Sequence, residues 1–130
     1  PFGRLPIFLE DVLGRLLTQR LVPVLAHPER NIEFQRKQKR LEQLVEEGAV
    51  VQIASGSLTG QYGDEARKTA EQFILQGMAQ VVASEMHSNT PPRSPILSDS
   101  FSVVTKLIGE KSSIDLFETN PRMLLEGRLP

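Results

Sequence analysis

Three short apolar runs recur along the chain, at residues 22–26 (VPVLA), 50–54 (VVQIA) and 80–84 (QVVAS). They are rich in β-branched residues and do not alternate with polar residues, which is typical of strands buried on both faces of a parallel sheet. Their ends lie about 28 to 30 residues apart, which is the length of one strand–helix repeat. The pattern therefore predicts three parallel strands.

Between and after these runs, apolar residues recur at helical spacing. Gly48 and Gly77 stand where two of the helices should end, and Asn120 precedes the last helix as a candidate N-cap. Residues 114–117 fit either a helical turn or a short buried strand. The predicted helices cover residues 6–20, 33–47, 64–76, 101–108 and 121–126.

Helices that alternate with buried strands indicate an α/β fold with a parallel sheet. Three strands are few, because a TIM-like barrel needs about eight. We therefore expect residues 1–130 to form a single partial domain of a barrel-like fold. Such a domain leaves strand edges exposed, and exposed edges favour self-association.

Composition narrows the functional classes. The chain has 130 residues, a formal net charge of −1 and no cysteine, which excludes thiol catalysis and disulfides and fits a cytoplasmic location. No apolar run approaches the roughly 18 residues of a membrane span. The basic run at residues 36–40 precedes acidic residues and has no interleaved aromatic residues, so a solvated helix face is favoured over a nucleic-acid-binding surface.

Both histidines of the chain follow predicted strands. His27 comes directly after the first strand, and His87 comes shortly after the third. The carboxyl ends of parallel strands carry the active sites of α/β barrels and sheets, so this position suggests a functional site. The alternative is that each histidine merely caps a strand in a loop.

Glu85 and His87 are separated by one residue, so on an extended segment their side chains point the same way. A carboxylate and an imidazole together suit manganese, zinc or iron. A salt bridge or cap at the end of the strand is the alternative interpretation.

The residues after His27 add a possible anion-binding group. Pro28 restricts the backbone, and the guanidinium fork of Arg30 suits a phosphate or carboxylate substrate. The alternative is that Glu29 and Arg30 begin the next helix as solvated residues.

A segment rich in glycine and serine, SGSLTGQYG at residues 55–63, follows the middle strand. We expect a flexible loop in which Ser55, Gly56 and Ser57 offer backbone N–H groups to an anion. The segment lacks the G-K-[ST] signature of a P-loop. A plain turn before the helix at Asp64 is the alternative.

Four stretches together, VPVLAHPERN, QIASGSLTGQYG, VVASEMHSN with PPRSP, and ETNPRMLLEG, resemble a known family. They are similar, in the same order, to the manganese-dependent protein tyrosine phosphatases of bacterial capsule and exopolysaccharide clusters, which belong to the polymerase and histidinol phosphatase (PHP) superfamily. The resemblance implies a distorted (β/α)7 barrel with metal ions at the carboxyl ends of its strands. It also implies hydrolysis of phosphotyrosine by a metal-bound water, with the tyrosine kinase of polysaccharide export as the partner.

The resemblance implies a role for each candidate residue. His27, Glu85 and His87 would bind Mn²⁺ or another divalent ion, Arg30 would hold the phosphate, and Arg93 matches a second phosphate-binding arginine. These assignments come from the family and not from the spacing of the residues.

Two features depart from the family pattern. Glu85 stands where the family has an aspartate, and its extra methylene moves the carboxylate by about 1.5 Å, which catalytic sites tolerate poorly. The H-x-H motif of the family's N-terminal half does not occur in this sequence. We therefore expect residues 1–130 to represent the C-terminal half of the barrel and to be a poor or inactive catalyst alone. A PHP phosphatase of small phosphate esters, such as a histidinol phosphatase, and a degenerate binding domain are the alternatives.

Overall fold

The computed structural model describes residues 3, 5–89 and 96–130, and it contains one parallel three-stranded sheet. The strands lie in the order β1, β2, β3, with Val24 opposite Val50 and Gln52 opposite Val81. The predicted α/β fold with three parallel strands and flanking helices is confirmed. The strands are β1 (Val24–Ala26), β2 (Val50–Ala54) and β3 (Val81–Ala83).

Every predicted helix is present, but the one expected over residues 33–47 is divided. Lys37 has φ −129° and ψ 66°, which interrupts the helix and separates α2 from α3. Within the described ranges, no helix is long and apolar enough to cross a membrane. The helices are α1 (Leu9–Thr18), α2 (Ile32–Arg36), α3 (Gln38–Glu46), α4 (Ser55–Leu58), α5 (Asp64–Leu75), α6 (Ser98–Ile108), α7 (Glu110–Ile114) and α8 (Asn120–Leu125).

Glycine ends two of these helices, as predicted. Gly48 has φ 108° and Gly77 has φ 71°, backbone conformations that residues with a Cβ rarely adopt. The N–H of Ala49 then donates to the carbonyl of Leu44, and the corresponding bond follows α5. These bonds satisfy the last helical carbonyls and turn the chain into β2 and β3.

The core lies between the sheet and the helices. Val51 and Ile53 alternate along β2 on the same face and are fully buried. They pack in one cluster with Leu41 of α3, Leu58 of α4 and Phe73 of α5. Each buried side chain of this size contributes about 2 kcal/mol through the apolar area removed from water.

The first strand is not buried on both faces, contrary to the sequence-based expectation. Val22 and Val24 are exposed, Val24 to 48% of its surface, because β1 is an edge strand whose outer side is left uncovered, whereas Val81 and Val82 of the other edge strand, β3, are buried. The central strand β2 alone shows the full burial that its sequence predicts. We call the exposed apolar residues in and just before this strand the β1 surface: Leu21, Val22 and Val24.

Residues 110–125 form helix throughout, which decides the open question about residues 114–117. A π-helical turn (Asp115–Thr119) joins α7 to α8, and Pro121 explains it, because proline has no N–H to donate to Phe117. The predicted N-cap role of Asn120 is wrong, since Asn120 lies inside the helix at φ −65° and ψ −45°. Its side chain instead donates to the carbonyl of Gln80 at 2.8 Å and ties the helix to the start of β3.

Candidate active site

His27 leaves the sheet at the carboxyl end of β1 in a left-handed conformation, with φ 44° and ψ 50°. Its N–H still donates to the carbonyl of Gln52 at 2.8 Å, so the histidine is anchored to β2. Pro28 then begins a 3₁₀ turn (Pro28–Arg30). A left-handed residue other than glycine costs about 1–3 kcal/mol and persists only where its surroundings hold it.

Glu85 approaches His27 from the opposite edge strand of the sheet. It follows β3, and its backbone is also left-handed, with φ 52°. Its carboxylate Oε1 lies 3.4 Å from Nε2 of His27, and the side chain is only 11% exposed. The structure thus brings together two residues that the sequence analysis placed at the ends of different strands.

Arg30 joins the same cluster. Its Nη1 lies 3.5 Å from Oε2 of Glu85, so the carboxylate lies between a histidine and an arginine. Its guanidinium carbon lies 3.8 Å from the centre of the Tyr62 ring. A cavity of about 440 Å³ adjoins Arg30 and Tyr62. Its lining also includes Ile32, Gln35, Asp64 and Ala66.

Glu29 is completely buried, so the alternative of a solvated residue at this position is wrong. Its Oε1 accepts hydrogen bonds from the N–H of Ala54 at 3.1 Å and the hydroxyl of Ser57 at 2.6 Å. Its Oε2 is buried without a hydrogen-bond partner among the residues described. Burial raises the pKa of Glu29 to about 7, although both hydrogen bonds lower it. Glu29 therefore links the turn after β1 to the turn after β2.

The segment after β2 is not the flexible loop that we expected. Residues 55–58 form the short helix α4, and all four are buried. The reason lies in Ser57, whose hydroxyl is held by Glu29, and in Leu58, which is part of the core. Phosphate binding by Ser55, Gly56 and Ser57 stays a prediction, and for Ser57 it would have to use the backbone.

His87 is exposed, and its Nδ1 lies 2.5 Å from the backbone carbonyl of Glu85. Over residues 3, 5–89 and 96–130, no three histidine, aspartate or glutamate side chains form a group that could hold a metal ion. The structure therefore joins His27 to Glu85 but does not complete a triad with His87. Arg93 lies outside the described residues.

The donor set nevertheless suits part of a metal site. An imidazole nitrogen and a carboxylate oxygen are donors that manganese accepts. Two atoms 3.4 Å apart can bind one ion from adjacent positions at ordinary ligand distances of about 2.1 Å. His27 and Glu85 fit as two ligands of a divalent ion and leave its other positions open.

Sequence reasoning did not single out Glu29 as an internal link, nor Tyr62 at all. The only available signal for Glu29 was the pair of hydroxyl residues that follow the next strand. For Tyr62 it was the presence of one aromatic residue in a segment otherwise rich in glycine and serine.

Comparison with known proteins finds relatives that match almost the whole chain. Tyrosine-protein phosphatase YwqE of Bacillus subtilis (strain 168) is 33% identical over 128 residues, which are 98% of this chain and 50% of the relative. Tyrosine-protein phosphatase CpsB of Streptococcus pneumoniae is 30% identical over 122 residues, which are 90% of this chain and 50% of the relative. The chain spans about half the length of these relatives.

A solved structure is also similar. It is described as "Crystal structures of YwqE from Bacillus subtilis and CpsB from Streptococcus pneumoniae, unique metal-dependent tyrosine phosphatases", and it matches with a TM-score of 0.90 at 31% identity. The match covers 98% of this chain and 51% of the other. The family model "Capsular polysaccharide synthesis, CpsB/CapC" matches residues 8–126, and the chain therefore belongs to the CpsB/CapC family.

Proposed function

We propose that this chain forms part of a metal-dependent phosphatase that hydrolyses phosphotyrosine in proteins. The observation that carries the proposal is the cluster at the carboxyl end of the sheet, where Glu85 lies 3.4 Å from His27 and 3.5 Å from Arg30. Family membership supports the same reaction, since the matched relatives are named tyrosine-protein phosphatases. The architecture that fits both is the C-terminal half of a PHP-type (β/α)7 barrel.

Arg30 is proposed to bind the phosphate. A guanidinium group can donate two parallel hydrogen bonds to phosphate oxygens, and its permanent charge offsets the charge of the phosphate. Glu85 orients Arg30 from one side, at the distance given above. Arg93 is proposed as a second phosphate-binding arginine on the basis of the family resemblance alone.

His27, Glu85 and His87 are proposed as ligands of Mn²⁺ or a similar divalent ion. A bound ion would supply Lewis-acid chemistry, by lowering the pKa of a water molecule and offsetting negative charge. His27 and Glu85 are already side by side. His87 would have to turn its ring away from the carbonyl of Glu85 to join them. Further ligands would have to come from outside this cluster.

The proposed substrate is a phosphotyrosine protein, and the family context favours the tyrosine kinase of polysaccharide export. The match to a capsular polysaccharide synthesis family supports this choice. The second candidate function is a binding module without catalysis. One observation favours it: the described residues contain no group of three metal-binding side chains.

We also propose that the β1 surface associates with protein. A parallel edge strand has unpaired backbone groups, and here the apolar side chains beside it are exposed. In the 130-residue chain, the available partner is a second copy.

A substrate panel tests the proposed function. The natural-length protein is assayed with and without Mn²⁺ on a phosphotyrosine peptide, the matching phosphoserine peptide and histidinol phosphate. We expect the phosphotyrosine peptide to be hydrolysed fastest, and EDTA to abolish the reaction. Faster hydrolysis of histidinol phosphate would contradict the proposed substrate, and absence of any hydrolysis would favour the binding module.

A further inference from the structure

Tyr62 is the only tyrosine of the chain, and it lies in the turn between α4 and α5. The backbone fixes this turn, because the N–H of Gln61 donates to the carbonyl of Gly56 at 2.8 Å. Gly56 leaves room for the ring: a Cβ added there would lie 2.8 Å from Cε2 of Tyr62. The position of the aromatic ring is therefore set by the fold and not by a flexible loop.

Arg30 is stacked on this ring. Its guanidinium carbon lies 3.8 Å from the ring centre, well inside the roughly 6 Å range of a cation–π interaction. The Arg30 side chain is only 16% exposed, so the interaction is less screened by solvent than a surface pair. A stacked guanidinium keeps its N–H groups at its edge, and Glu85 lies 3.5 Å from Nη1 at that edge.

We propose that Tyr62 is a positioning residue, which holds the guanidinium plane of Arg30 so that its edge faces the substrate phosphate. This inference rests on the proposed function. An arginine side chain has several rotatable bonds, and each must be fixed when the group binds an anion. Stacking on Tyr62 fixes them beforehand, so less affinity is lost on binding. The adjoining cavity, lined by both residues, leaves space at this position.

The role requires an aromatic face but not the hydroxyl, and this separates it from other roles of a tyrosine. Tyr62→Phe keeps the ring, whereas Tyr62→Leu fills similar space without a π face. A residue that only packs would tolerate leucine, and a residue that acts through its hydroxyl would not tolerate phenylalanine. Tyr62→Phe is therefore the matched control for Tyr62→Leu.

The test measures kinetics and the position of Arg30 together. The natural-length protein is assayed with Mn²⁺ on a phosphotyrosine peptide, and the side-chain Nε–Hε signal of Arg30 is followed by NMR in the metal-free protein, because Mn²⁺ would broaden it. We expect Tyr62→Leu to raise KM about 5- to 10-fold with kcat within about threefold, which is the size of one cation–π interaction. The Arg30 signal should lose its ring-current shift. Tyr62→Phe should stay within about twofold and keep the shift.

The proposal is overturned if Tyr62→Leu has the wild-type KM, if Tyr62→Phe is as impaired as Tyr62→Leu, or if the Arg30 signal does not respond. Absence of hydrolysis by the wild-type protein would defeat the proposed function instead. In that case the role of Tyr62 is tested by the dissociation constant of inorganic phosphate, measured in EDTA on the wild type, Tyr62→Leu and Tyr62→Phe. A weaker constant only in Tyr62→Leu supports the role of Tyr62, and equal constants or no binding overturn it.

Discussion

The carboxyl end and the outer edge of β1 differ in how far other parts of this chain contact them. At its carboxyl end, His27, Glu29 and Arg30 are each held by residues of β2 or of the segments that follow β2 and β3. Along its outer edge, the β1 surface exposes apolar side chains to solvent. The contrast shows that the proposed phosphate-binding end is held in place by residues of this chain, whereas the outer edge of β1 is left uncovered by it.

Arg30→Ala should have the largest effect. We expect kcat/KM for a phosphotyrosine peptide to fall about 100-fold or more in the natural-length protein with Mn²⁺, because a charged donor to the phosphate is lost. Arg36→Ala is the control, since Arg36 is exposed and lies on α2 away from the Glu85 contact. Equal losses in the two variants would show that Arg30 has no special role.

Glu29→Ala should destabilise the fold strongly. It leaves the N–H of Ala54 and the hydroxyl of Ser57 without their acceptor in a buried place, which we expect to cost about 2–4 kcal/mol in the free energy of unfolding. Urea denaturation measures it. Glu29→Gln should lose less, because its amide oxygen can still accept both bonds. The exposed Glu46→Ala serves as the control, and a loss at Glu29 no larger than at Glu46 would refute the internal link.

Glu85→Gln should weaken Mn²⁺ binding by about tenfold, because the amide keeps the size of the side chain but removes the charge that a divalent ion prefers. Isothermal titration of the natural-length protein with Mn²⁺ measures the change. The mostly exposed Glu65→Gln provides a matched control. Unchanged affinity in Glu85→Gln would remove Glu85 from the set of ligands.

Val24→Lys should have the smallest effect on stability, about 0.5 kcal/mol or less, because the side chain is already 48% exposed. It should nevertheless shift the 130-residue chain towards monomer, since lysine on an edge strand opposes strand pairing. Light scattering over a concentration series checks this. A wild-type chain that is monomeric throughout would contradict association through the β1 surface.

Much of the fold follows from local sequence. The run at residues 50–54 is apolar except for Gln52 because β2 is central and covered on both faces, and the structure gives it the same bounds. Glycine marks the ends of α3 and α5, where the backbone turns left-handed at Gly48 and Gly77. The sequence predicted in general terms that His27 and Glu85 lie at the same end of the sheet, because parallel strands have their carboxyl ends there.

The rest depends on contacts between distant residues. Glu29 is polar in sequence and becomes buried only because Ala54 and Ser57, more than 20 residues later, supply its donors. Val24 resembles Val51 in sequence, but Val51 lies in the central strand and is buried, whereas Val24 lies in an edge strand whose outer side is left uncovered. Tyr62 acquires its proposed role only through its contact with Arg30, which is also more than 20 residues away in the sequence.

We propose above all that the carboxyl end of the sheet binds a divalent ion through His27 and Glu85. The most direct measurement follows the ring-proton NMR signals of the two histidines while Mn²⁺ is added to the 130-residue chain. Dispersed methyl signals in the same spectra verify folding. We predict that the His27 signals broaden at substoichiometric Mn²⁺ and that Glu85→Gln suppresses the broadening. If the His27 signals stay sharp at a several-fold excess of Mn²⁺, the claim is contradicted.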